Sequence, residues 1–134
     1  MSEPVIIIDI SEIQPGKFEE LKAAMRSLVE YAALNEPRMI AYQVYLNEDE
    51  TQVTVLQVHP DPASAEFHMN VAGSMFTPFA GMIRMKEINI YGEPSSDLLE
   101  KLQRKARLLG PARVIVNRLS AGFIRRGNPG TPIR

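Results

Sequence analysis

The chain has no cysteine and no tryptophan, and it has two histidines. Without cysteine there is no disulfide, no thiolate nucleophile and no thiolate metal site. No histidine pair stands at helical i, i+4 spacing, so a metal site lacks its usual scaffold and none is expected. A glycine-rich phosphate loop and a serine nucleophile elbow are also missing. No apolar run approaches the roughly 20 residues that span a bilayer, and the amino terminus lacks the basic-then-apolar pattern of a secretory signal. A soluble cytoplasmic protein with no membrane partner is therefore the expectation. Charge of one sign is scarce as well: 15 basic and 16 acidic side chains are mixed along the sequence. A net charge of −1 gives no field to hold nucleic acid.

What remains is material for one core. The 134 residues are 45% hydrophobic and 23% charged, which fits a single folded domain. Met39 to Val58 reads as a β-hairpin, two runs rich in Ile, Val and Tyr joined by Asn47-Glu48-Asp49-Glu50. On one strand Tyr42 and Val44 alternate with Gln43 and Tyr45; a mixed face bearing Gln43, Tyr45 and Gln57 is expected to line a pocket or an interface. Before the hairpin, Phe18, Leu21, Met25, Leu28, Val29 and Ala32 recur at helical spacing between Gly16 and Pro37. After it, Asp61 suits an N-cap and Pro62 a first helical position, with Ala65, Met69 and Ala72 on the buried side beside His68. Gly73-Ser74 interrupts this helix.

A strand stands at each outer end. Val5 to Ile10 is β-branched apart from Asp9 and apolar on both faces, so it needs cover on both; the second cover is expected from another subunit. Met85 to Tyr91 returns to period two. The order strand, helix, hairpin, helix, strand is the split βαβ plan, a ferredoxin-like α+β fold with an antiparallel sheet. This domain is placed at 1–92, and 93–124 adds a helix (Leu98, Leu102, Ala106, Leu109) and an edge strand over Arg113 to Phe123. The tail, 125–134, is rich in Gly, Pro and Arg and is expected to be flexible.

Four methionines, Met69, Met75, Met82 and Met85, cluster with Phe67, Phe76 and Phe79. Thioethers and aromatic rings suit a cavity for a flat apolar ligand, and an adaptable core uses the same residues.

The opening strand, the helix start Gln14-Pro15-Gly16-Lys17-Phe18-Glu19-Glu20-Leu21, and Gln57-Val58-His59-Pro60-Asp61 leading to Ala65-Glu66-Phe67-His68 resemble the antibiotic biosynthesis monooxygenase superfamily. The likeness covers residues 4 to 92. It implies a dimeric α/β barrel, that is, a homodimer, and oxygenation without metal, flavin or other cofactor. A polycyclic phenolic or other small apolar substrate would be deprotonated and pass electrons to dioxygen. His68 is then the catalytic candidate, because an imidazole titrates near neutral pH. His59, Tyr45 (or Tyr42, whichever faces inward), Arg84, Met69, Met82 and Phe79 are the substrate-binding candidates. Asp9 on the first strand and the missing Trp argue against the heme-degrading members. The structural alternative for His68 is a solvent-facing or backbone-satisfied helix residue, and the functional alternative for the chain is a noncatalytic dimeric small-molecule-binding domain.

Overall fold

A computed structural model describes residues 3–125. The elements are β1 (Val5–Ile13), α1 (Phe18–Asn35), β2 (Ala41–Leu46), β3 (Gln52–His59), α2 (Pro62–Ala72), two 3₁₀ turns (Gly73–Met75 and Thr77–Gly81), β4 (Ile83–Tyr91), α3 (Ser96–Leu109) and β5 (Arg113–Asn117). The five strands form one sheet in the order β2-β3-β1-β4-β5. Each neighbouring pair among the first four is antiparallel, which is the ferredoxin-like arrangement, and β5 adds to β4 in parallel. The carboxy-terminal extension is thus built into the same sheet. Its edge strand ends at Asn117, six residues short of the expected Phe123. All of the tail beyond Arg125 lies outside the described residues.

Local chemistry sets the helix starts. The Asp61 carboxylate accepts from the Ser64 backbone N–H at 2.9 Å with Pro62 at the first position of α2, and Ser95 caps α3 by accepting from the Leu98 N–H at 3.1 Å. All three helices pack on one face of the sheet. Their buried stripes, including Leu21, Met25 and Leu28 of α1 and Leu98, Leu102 and Leu109 of α3, meet Val5, Ile7, Val53, Val55, Ile88 and Ile90 from the strands.

Two registers differ from the expectation. Tyr42 stands directly opposite Gln57, and Gln43 opposite Leu56. Gln57 therefore shares the helix-covered face with Tyr42, while Gln43 and Tyr45 point the other way, so the mixed face of Gln43, Tyr45 and Gln57 does not exist. The Leu46–Val53 pairing sets this phase, placing each even-numbered residue of β2 opposite an odd-numbered one of β3, and the strands are joined by the loop 47–51. Asn47 organises it by accepting from the N–H groups of Thr51 at 3.0 Å and Gln52 at 2.8 Å. In β4 a bulge opposite Ile10 and Ser11 rephases the strand: Met85 joins Ile88 and Ile90 in the core, although strict alternation would put Arg84 there.

Among the described residues no helix covers the opposite face of the sheet. A row across it reads Gln43, Leu56, Ile8, Asn89 and Ile115, and Ile6, Ile10 and Val58 flank its centre. No helix among the described residues is long and apolar enough to cross a membrane.

Candidate functional site

Between the sheet and the helices lies a group of buried polar side chains. Glu36 follows the last turn of α1, its N–H closing that turn on the Ala32 carbonyl, and its carboxylate turns inward beneath α2. There both of its oxygens meet His68 Nδ1, at 2.8 and 2.9 Å. His68 is fully buried on α2, and its ring packs edge-on to Tyr42 at 5.1 Å and against Phe76 at 5.9 Å. With Nδ1–H donated to a carboxylate, the ring in its uncharged form presents a lone pair at Nε2. That atom is buried and has no partner among the described residues.

His59 stands 6.0 Å from His68, ring to ring. Its Nδ1 is 2.9 Å from the Ser64 hydroxyl and its Nε2 is 2.9 Å from Gln57 Oε1. Burial, assisted by the neighbouring His68, lowers the His59 pKa from 6.5 to about 4, which keeps this imidazole neutral. The second pair is Asp9 and Lys105, 3.5 Å apart and both buried. Asp9 interrupts the apolar side of β1, flanked by Val55 and Ile88. Lys105 occupies a position on the apolar stripe of α3, and its ammonium also lies 4.4 Å above the Phe76 ring. Burial raises the Asp9 pKa, opposed by Lys105 and, more weakly, by His68. The Tyr42 hydroxyl is pushed well above the usual phenol range by burial and by the carboxylates of Asp9 and Glu36.

Asp9, Tyr42, Phe76, Phe79, Met85 and Lys105 are among the residues lining a small pocket of about 20 Å³, room for about one water molecule. A roomier cleft of about 240 Å³ opens at the surface, where Glu36 and Ser64 meet Arg38, Met39 and Phe67. Arg38 pairs with Asp61 nearby. Glu36 and Ser64 thus stand between this cleft and the two buried histidines. Among the described residues no group of three or more His, Cys, Asp or Glu side chains gathers as a metal site.

Of the residues proposed from sequence, His68 and His59 stand together and Phe79 lines the small pocket beside Tyr42 and Phe76. Met82 is buried but does not line that pocket, and Met69 is half-buried against the core. Tyr45 is 53% exposed on the other sheet face, hydrogen-bonded to Gln43, so Tyr42 is the tyrosine that faces inward. Arg84 is exposed, turned outward by the β4 bulge. Glu36, Asp9, Ser64 and Lys105 were not among the candidates, and Gln57 was read only as part of a face with Gln43 and Tyr45. Two of them left a signal: Asp9 is the one acid in the run Val5 to Ile10, and Lys105 breaks the apolar stripe of its helix.

No family model matches the chain, and no curated protein matches its sequence. Solved structures do. MupZ from Pseudomonas fluorescens is 17% identical with a TM-score of 0.70, covering 92% of this chain and 96% of its own. That cover necessarily extends into the carboxy-terminal helix and strand. A putative antibiotic biosynthesis monooxygenase from Nitrosomonas europaea is 18% identical with a TM-score of 0.60, covering 69% of this chain and 92% of its own. A conserved protein from Methanosarcina mazei Go1 is 23% identical with a TM-score of 0.60, over 66% of this chain and 91% of its own. The chain therefore has the ferredoxin-like α+β fold of antibiotic biosynthesis monooxygenase-type structures, and at these identities the likeness is one of fold.

Proposed function

We propose that the chain is a cofactor-independent monooxygenase acting on a small phenol, with His68 as its general base. The observation that carries this reading is the buried Glu36–His68 pair, whose Nε2 has no partner among the described residues. A carboxylate on Nδ1 fixes the tautomer and stabilises the imidazolium formed when Nε2 takes a proton. The fold likeness supports the class of chemistry. Its proposed net reaction converts a phenol and dioxygen to a quinone and water: one oxygen atom becomes the new ring carbonyl. The other leaves as water with the hydrogens lost from the hydroxyl and the ring carbon. Lys105 supplies the positive charge next to the phenolate, and Phe76 and Phe79 supply the apolar wall.

Size selects within the substrate class. A space for one water holds no ring, so a substrate must displace Phe76 and Phe79, which ride on the 3₁₀ turns between Gly73 and Gly81. A single ring asks for less displacement than a polycyclic one. The test is oxygen uptake across a panel of monocyclic and polycyclic phenols. Uptake is expected with the smaller ones, falling by about 10²–10⁴ in His68→Ala with little change in thermal unfolding. Binding without uptake would leave a noncatalytic binding domain, and uptake untouched by the substitution would remove His68 from the chemistry.

A homodimer through the open sheet face belongs to the same proposal. Ile6, Ile8, Ile10, Leu56 and Val58 form an apolar centre there that no helix among the described residues covers, a patch that a lone domain of this size tolerates poorly. Sedimentation should show a dimer at micromolar concentration, and Ile8→Lys, placing a charge at its centre, should give a monomer. A wild-type monomer would refute the pairing.

A further inference from the structure

We infer that Gln57 selects the substrate's hydroxyl group, as the hydrogen-bond donor that completes a two-point site with His68 Nε2; this rests on the acid–base reading of His68 above. Three buried side-chain atoms have no partner among the described residues: Ser11 Oγ, Gln57 Nε2 and His68 Nε2. Two of them belong to one neighbourhood. Gln57 stands opposite Tyr42 in the β2–β3 ladder and is bonded to His59, and the rings of Tyr42 and His59 both lie against His68, at 5.1 and 6.0 Å.

Their chemistry is complementary. Gln57 Oε1 accepts from His59 Nε2–H, which leaves the two amide hydrogens on Nε2 to serve a ligand. His68 Nδ1–H is committed to Glu36, which leaves Nε2 as an acceptor. One unpaired donor and one unpaired acceptor are what a hydroxyl satisfies: it gives its hydrogen to His68 and receives one from Gln57. After proton transfer the same amide supports the phenolate oxygen. A carbonyl or an ether offers no hydrogen to His68, and an ammonium accepts nothing from Gln57. Leaving either atom unpaired in the interior costs far more than exposing it, so the pair discriminates by the penalty it imposes on ligands lacking the hydroxyl.

His59 and Ser64 hold the amide in this orientation. With Gln57 Oε1 facing it, His59 carries its proton on Nε2, and its Nδ1 then accepts from the Ser64 hydroxyl. The inference therefore predicts the tautomer of a residue that touches no substrate.

The experiment compares phenol with toluene, the same ring without the hydroxyl, by nitrogen-15 NMR on the full chain. Phenol is expected to shift His68 Nε2 and the Gln57 side-chain amide together, and toluene to shift neither. In Gln57→Met, phenol affinity should fall about tenfold or more with toluene affinity unchanged. If that variant does not fold, the wild-type shifts decide alone. Equal responses to the two ligands, no response to either at millimolar concentration, or His59 protonated on Nδ1 would each overturn the assignment, the last because it turns the Gln57 amide round. Phenol that shifts both nitrogens without oxygen uptake would sink the oxygenase reading and leave the hydroxyl site standing.

Discussion

Acidification should unfold this protein through His59 well before its carboxylates titrate. The imidazole is held at a pKa of about 4 in the fold against 6.5 as its ordinary value. A depressed folded pKa means that the stability is fully present above pH 6.5 and is lost as the unfolded chain takes up a proton that the folded one refuses. Between pH 7 and pH 5 the linkage removes about 2 kcal/mol, and toward pH 4 the loss approaches about 3 kcal/mol. That is a large share of the stability of a domain this size. Urea denaturation at pH 7, 6 and 5 measures the loss. Comparison with His59→Gln isolates it, because Asp9, whose pKa is raised by burial, contributes with the opposite sign: its stability is present at low pH and is lost as it ionises. Gln at 59 keeps an amide for Gln57 and Ser64 and cannot titrate, so its pH 7 to pH 5 difference should be smaller by about 2 kcal/mol. With two histidines in the chain, each imidazole can be followed directly by NMR. A His59 that titrates near 6.5, or a variant with the wild-type slope, would refute the reasoning.

The Asp9–Lys105 pair gives an independent stability prediction. Lys105→Met or Asp9→Asn alone should each cost about 3–5 kcal/mol by urea denaturation, because a buried charge is left without its partner, while Asp9→Leu combined with Lys105→Met should recover most of the loss. Single variants within about 1 kcal/mol of wild type would show that water reaches the pair. Gly92, just after β4, sits at φ +119°, and a Cβ there would lie 2.7 Å from the Pro4 carbonyl oxygen. Gly92→Ala should lower stability by about 1–3 kcal/mol without touching the site, and an unchanged melting temperature would contradict the close approach.

Most of the fold is carried by short-range pattern, and the site is not. Period-two and helical spacing, with Asp61-Pro62 and Ser95 as caps, place every helix and strand, although β5 stops six residues before its expected end. The order of those elements then leaves few sheets to build. What pattern does not carry is phase between elements. Tyr42 and Gln57 are each readable as one side of a strand, yet whether they share a face depends on the loop at Asn47–Thr51, and a change of one residue there inverts the answer. The β4 bulge acts in the same way on Arg84 and Met85, since an extra residue in a strand moves everything before it to the opposite face. Arg84 turns outward because of that bulge, and Tyr45 because Tyr42 holds the helix-covered face of the same strand.

Glu36 shows a third kind of loss. Its side chain becomes important only because α1 ends where it does and α2 crosses nearby, bringing together residues 32 apart in sequence. Nothing in the local pattern around Glu36-Pro37-Arg38 marks it apart from any charged residue after a helix. The energetics do mark it. A carboxylate in the interior survives only with a partner, so the burial of Glu36, Asp9 and Lys105 requires His68, and each other, to be where they are. A well-packed apolar core would have been at least as stable at these positions. Their retention in a domain with a small core is therefore an argument for chemistry at His68, and His68→Phe sharpens it. A ring of similar size leaves Glu36 unpaired, so this variant should unfold at lower urea than wild type, and adding Glu36→Leu should restore it. Restored stability with phenol no longer registering at Gln57 would separate what the pair does for the fold from what it does for the ligand.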